Sequence, residues 1–313
     1  MLNINRQITL VKLQKVFLTF SKENLLISIV MALLFAILGF NLWFLANSKT
    51  PSPPQSLIAS SNLAEPTRSF GEVLSTATQS AIPSAQEAVS QIVGKVSIAV
   101  LGDSMIDTMA DLKNLKLTLT QYYPKVEFVL LNYGVGATTP ENGLARLTQS
   151  TQTPSKNLQP LLLVKPDIVV IESFGYNHGR NTQGDIDTHY QTIKAITESL
   201  KRSNIAVLFL TTIAPTTNYA KDAPGILWDE NRQKLEAQTV IEYLKAGLKF
   251  AKDNNLILID GFTPSLDKDG FGKQIYVNSQ DNIHPSQEGN EFISDLIAQK
   301  ITQEKLVEKI VTQ

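Results

Sequence analysis

Three features of the sequence predict an α/β fold with a parallel sheet covered by helices on both faces. Short, unbroken apolar runs recur at residues 96–101, 126–132, 167–172, 206–212 and 256–260. They lack the polar alternation of half-exposed strands, as expected of strands buried on both sides. Longer segments of helical periodicity separate them, and alternation of strand and helix requires parallel crossovers, hence three α/β/α layers. Finally, Pro124 and Pro166 stand just before the second and third runs, where any preceding helix must have ended.

The elements follow in order along the chain. Residues 25–46 carry no charge and are dominated by Leu, Ile, Val, Phe and Ala. At about 1.5 Å per residue they would span about 33 Å, against roughly 30 Å of bilayer core. Arg6, Lys12, Lys15 and Lys22 precede them with one acid, Glu23. Basic residues stay cytoplasmic, so the expected orientation is a cytoplasmic tail (1–24), a single membrane-spanning signal anchor (25–46) and the remainder outside. A cleaved signal peptide is the competing reading, although its apolar core would be shorter, about 7–15 residues. Residues 47–95 are rich in Ser, Thr, Ala, Gln and Pro and poor in large apolar residues, which predicts a flexible linker. The domain proper is expected over 96–313. Its helices are predicted at about 105–122, 143–149, 187–202, 230–253 and 287–310.

Composition excludes several functions. The 313 residues hold 28 basic and 29 acidic side chains, so there is no electrostatic basis for nucleic-acid binding. Cysteine is absent, which removes disulfides, thiol catalysis and thiolate metal sites. No cofactor and no metal are expected.

Open parallel sheets form their sites outside the carboxyl ends of the strands. Four polar segments fall at that edge. Gly102-Asp103-Ser104-Met105 follows the first strand, and Asn132-Tyr133-Gly134-Val135-Gly136-Ala137-Thr138-Thr139 follows the second. Gly175-Tyr176-Asn177-His178 follows the third, and Asp281-Asn282-Ile283-His284 lies between the fifth strand and the last helix. Ser104 sits on a tight strand-to-helix turn where developing negative charge is favoured. His284 can take its proton, with Asp281 orienting the imidazole. The glycine-rich turn can aim a backbone N–H at an oxyanion, with the Asn177 amide as a second donor. The loop 216–228, with Tyr219 and Trp228, is either a wall of the substrate site or ordinary packing.

These four blocks resemble, in order, those of the SGNH (GDSL-type) hydrolases over about residues 96–296. Met105 replaces the usual Leu, and Asp281-Asn282-Ile283-His284-Pro285 matches the last block. The resemblance implies a flavodoxin-like fold and a serine esterase in which Ser104, Asp281 and His284 form the triad. It implies an oxyanion hole from the N–H of Ser104, the 136–137 turn and Asn177. Aligned without gaps, the oxyanion glycine of the second block falls on Ala137, with Gly136 beside it. His178 stands where relatives often carry Asp and is either a substrate contact or a loop cap. Asp103 and Asn132 are expected to brace the site, and His189 to lie on the surface.

The expected activity is hydrolysis of acyl esters, short-chain ones above all, outside the membrane, with envelope glycans or lipids as candidate partners. An O-acyltransferase acting on envelope polysaccharide would use the same residues. A non-catalytic glycan- or lipid-binding module is the third reading, and an intact Ser104, Asp281 and His284 speaks against it.

Overall fold

The structure, a computed structural model, describes residues 91–312. The expected tail, membrane anchor and all but the last residues of the linker lie outside the described residues. Among the described residues, no helix is long and apolar enough to cross a membrane.

Five strands form the main sheet: β1 (Gly94–Gly102), β2 (Val126–Gly134), β5 (Ile168–Glu172), β6 (Ala206–Thr211) and β7 (Ile257–Asp260). Their order is β2-β1-β5-β6-β7 and every pairing is parallel. The first strand begins at Gly94, inside the segment expected to be linker. All five strands coincide with the apolar runs because each run is buried on alternate sides. Ile98, Val100, Ile168, Val170, Leu208 and Leu210 face one core; Ala99, Leu101, Val169, Ile171, Val207 and Phe209 face the other. Two cores flanking one sheet give the three layers. Each such Ile, Leu or Phe contributes about 1.5–3 kcal/mol by leaving water.

The first core is closed by α2 (Lys113–Tyr122), α8 (Gln287–Gln303), α9 (Leu306–Val311) and one side of α6 (Glu230–Asp253). The second is closed mainly by α5 (Gln183–Arg202), through Tyr190, Ile193, Ile196 and Leu200. Polar caps set the helix starts: the side chains of Thr182, Asp229 and Ser286 accept from the backbone N–H three residues on.

Two expected helices are broken. The segment 105–122 divides into α1 (Ser104–Asp107) and α2 because Ala110 and Leu112 adopt left-handed backbone, with φ 47° and 58°. The last helix ends at Gln303 and resumes at Leu306 after Lys305, also left-handed at φ 53°. A two-stranded hairpin, β3 (Thr151–Gln152) with β4 (Asn157–Leu158), has no counterpart in the sequence reading. The remaining helices are short: α3 (Pro140–Ala145), α4 (Leu161–Val164) and α7 (Phe262–Ser265).

Strand order decides where the site lies. The chain moves from β1 outward to β2, then returns to the other side of β1 for β5. The order therefore reverses at β1, and the crevice beyond its carboxyl end is the switch point where ligands bind in such sheets.

Candidate active site

The end of β1 sets the geometry. Gly102 pairs with Gly134 at the last rung of the β1–β2 ladder, so the turns that follow both strands start side by side. A Cβ built on Gly136 would lie 4.0 Å from the Ser104 Cβ. Ser104 is half-buried and is the first residue of α1, directly after its N-cap, Asp103.

Asp103 is fully buried. One carboxylate oxygen accepts the Met105 N–H at 2.8 Å; the other accepts the Asn177 side-chain amide at 2.8 Å. Burial raises its pKa, while these two bonds and the charges of His284 and Arg146 act in the opposite direction. Hydrogen bonds to a charged acceptor are worth about 1.5–3 kcal/mol, enough to hold Asn177 in place. Its second amide hydrogen remains for another acceptor.

The Asp281–His284 segment closes on itself. His284 Nδ1 lies 2.8 Å from one Asp281 oxygen, and the other oxygen accepts the N–H groups of Ile283 (2.9 Å) and His284 (3.1 Å). Burial alone would raise the Asp281 pKa, but the His284 bond and the two backbone bonds bring it below the ordinary carboxylate value. An anionic Asp281 fixes the proton on Nδ1 and leaves Nε2 as the acceptor. Asn282 shapes the turn from the left-handed region, φ 53°, which asparagine tolerates better than most residues. Ser104 and His284 share no direct hydrogen bond among the described residues. The charge of His284 acts on Asp103, the neighbour of Ser104, in the direction opposite to burial.

The two residues expected to supply the second-strand oxyanion donor differ. The Gly136 N–H donates to Asp107 Oδ2 at 3.0 Å and is not free. That corrects the inclusion of Gly136; Asp107, one turn after Ser104, reaches it first. Ala137 has φ 54°, in the left-handed region that favours glycine. Asn132 is a brace as expected: its amide donates to the carbonyls of Ile106 and Ala110, both at 2.8 Å.

Sequence reasoning missed a buried polar cluster beneath the site. Glu172 is fully buried and accepts from the Ser173 hydroxyl (2.7 Å) and the Phe174 N–H (2.8 Å). Burial, reinforced by the charge of Asp103, pushes its pKa well up, against the hydrogen bonds from Ser173 and Phe174. Arg146 is 2 % exposed and donates to the Tyr133 carbonyl at 2.7 Å and to the Thr138 hydroxyl at 3.2 Å. Burial brings its pKa down to about 10, against the opposing pull of Asp103, Asp107 and Glu172. The signal was a charged residue at the end of an otherwise apolar strand.

His178 takes the loop-capping alternative. Its Nδ1 lies 2.6 Å from the Gly179 carbonyl, its ring stacks on Tyr243 at 5.1 Å, and Nε2 faces Glu236 at 3.8 Å. His189, expected on the surface, is 5 % exposed; Nε2 lies 2.8 Å from the Ser173 carbonyl, and burial lowers its pKa to about 4. Trp228 stacks on Tyr219 at 6.3 Å and lies under the Arg232 guanidinium at 5.5 Å. Tyr219 in turn packs on Tyr176 at 5.8 Å. Burial raises the Tyr219 pKa, as do the charges of Glu236, Asp103 and Asp281; the loop joins the 281–284 segment where the Ala220 N–H donates to the Asn282 carbonyl at 3.2 Å. Among the described residues, no group of three or more His, Asp or Glu side chains is arranged to hold a metal ion.

No curated protein matches the chain in sequence. Among solved structures it is similar to a GDSL-like lipase from Bacteroides thetaiotaomicron: 16% identity, 66% of this chain, 88% of that one, TM-score 0.48. It is also similar to a catalytic mutant of an acetylxylan esterase from Geobacillus stearothermophilus: 14% identity, 67% and 95% coverage, TM-score 0.46. Residues 98–297, most of the described domain and all four polar segments, match the GDSL-like Lipase/Acylhydrolase family. The chain belongs to that family and is a serine ester hydrolase of the GDSL type.

Proposed function

We propose that this protein is a membrane-tethered, extracytoplasmic esterase that cleaves short acyl esters through an acyl-enzyme. The Asp281–His284 pair carries the reading, because a carboxylate bonded to Nδ1 leaves Nε2 to serve as the base. Ser104 Oγ attacks the ester carbonyl while His284 Nε2 takes its proton. The tetrahedral oxyanion is held by the N–H groups of Ser104 and Ala137 and by the Asn177 amide. Collapse breaks the bond to the alkoxy oxygen, and His284 returns the proton to the departing alcohol. Water then attacks the acyl-Ser104, with His284 again as base, releasing the acid and restoring the hydroxyl.

The apolar segment 25–46 and the linker behind it support an anchored enzyme outside the membrane, which makes acylated envelope glycans or lipids sensible substrates. Trp228 and Tyr219 supply a wall for the group carrying the ester.

The test offers short-chain aryl esters to the protein and to its Ser104→Ala and His284→Ala variants. Turnover that disappears in both supports the mechanism, and unchanged turnover in Ser104→Ala removes it. A parent that ignores water but passes its acyl group to a sugar hydroxyl would be a transferase instead.

A further inference from the structure

The hairpin β3–β4 sends one side chain under the catalytic rim. Lys156 is largely buried and its ammonium makes three bonds: to Asp107 Oδ1, to Asn132 Oδ1 at 3.0 Å and to the Gly134 carbonyl at 2.9 Å. An ammonium has three donors, so its capacity is filled. Each acceptor belongs to the machinery of the site. Asp107 closes the short helix that begins at Ser104, and its other oxygen holds the Gly136 N–H. Asn132 accepts the Gly134 N–H at 2.8 Å and ties that strand to the carbonyls of Ile106 and Ala110. A Cβ on Gly134 would collide with the Asp107 backbone, so these two segments already touch.

We propose that Lys156, acting through Asp107, is a positioning residue that sets the Ala137 N–H as the oxyanion donor after β2. This rests on the reading that Ser104 attacks an ester. With the Gly136 N–H taken by Asp107, the next N–H in the chain is the one left to face the reacting carbonyl. Its direction depends on where Asp107 stands, and Lys156 neutralises and fixes that carboxylate. The loop is thus anchored to the same turn as the nucleophile, so both move together. A donor displaced by a fraction of an ångström still lets substrate bind but stabilises the transition state poorly.

The experiment compares Lys156→Met, Lys156→Arg and Asp107→Asn with the full-length parent on a short-chain aryl ester. Folded fraction is measured in parallel, and Lys249→Met, in an exposed ion pair with Asp253, serves as control. Lys156→Met is expected to lower kcat roughly 10- to 100-fold, less than outright loss of an oxyanion donor, with KM within about twofold. Lys156→Arg should regain most of that loss, and Asp107→Asn should fall with Lys156→Met. Parental kcat per folded molecule in Lys156→Met would overturn the proposal. Should Lys156→Met fail to fold, Asp107→Asn decides, and its retention of full kcat overturns it equally. Turnover persisting in Ser104→Ala would remove the underlying mechanism. An inert Ser104→Ala beside an unaffected Lys156→Met removes only the role given to Lys156.

Discussion

Asp103 holds Asn177: the buried carboxylate accepts the Asn177 amide at 2.8 Å, across a separation of 74 residues in sequence. The residue before Ser104, the proposed nucleophile, therefore orients an amide that belongs to another strand's loop. Asn177→Ala is expected to lower kcat by about 10²- to 10³-fold with a small change in KM, as loss of one oxyanion donor does elsewhere. Steady-state kinetics on an aryl ester checks this. A kcat within twofold of the parent would show that Asn177 only packs its loop.

Asp281→Asn should be far more damaging than its size suggests. The amide would donate to His284 Nδ1, forcing the proton to Nε2 and removing the base. A loss of about 10⁴-fold in kcat is expected, the size observed when the orienting carboxylate of such a triad becomes an amide. The variant also changes acid stability. Asp281 is depressed in the folded protein, so its contribution is fully present above about pH 4 and is lost as pH falls through the lowered pKa. Chemical denaturation of Asp281→Asn between pH 6 and pH 2 should show a shallower decline than the parent. Equal slopes would mean that Asp281 is not held anionic by the fold.

Glu172 carries the opposite sign. Its folded pKa is raised, so the native state binds a proton that the unfolded chain has released above about pH 4.5. Stability contributed by this site falls as pH rises from there toward the folded pKa. Glu172→Gln keeps an acceptor for the Phe174 N–H and can donate to a reversed Ser173 hydroxyl. It should therefore flatten the decline in denaturation free energy between pH 5 and pH 9. A decline as steep as the parent's would count against a raised Glu172 pKa.

Ala137 gives a test of backbone conformation. At φ 54° a non-glycine residue costs roughly 1–2 kcal/mol, partly offset by the lower entropy of its unfolded chain. Ala137→Gly should be neutral or up to about 1 kcal/mol more stable, and Ala137→Val destabilised by more than about 1 kcal/mol. Thermal melts of the two variants suffice, and equal midpoints would argue against left-handed backbone here.

The sheet was legible because burial on both faces leaves an unmistakable mark: runs such as Ile168-Val169-Val170-Ile171 have no other use in a domain of this size. The four polar segments could be placed at one edge for a related reason, since parallel strands deliver every loop at their carboxyl ends to the same side. The break at Ala110 and Leu112 was not. Leu112, Leu115 and Leu119 keep helical spacing through the turn, and the deviation lies in backbone angles that alanine and leucine do not advertise. Lys156 was invisible because its hairpin is polar, short and without periodicity. His189 was misplaced because a polar side chain on a helix reads as solvent-facing, whereas here its ring is buried against Tyr190 and Tyr243. The Arg146 and Glu172 cluster escaped because a lone charge in a helix or at a strand end names no partner.

Asn282 is hitched to the loop that carries Tyr219 and Trp228: its amide donates to the Lys221 carbonyl at 2.9 Å, and its own carbonyl receives the Ala220 N–H at 3.2 Å. The proposed base with its carboxylate and the proposed wall beside it are consequently tied together through Asn282. A bulky group pressed against the aromatic rings pulls on the imidazole as well. Engineering of selectivity along that wall will therefore change turnover too, and the two properties are best tuned from the opposite bank of the crevice.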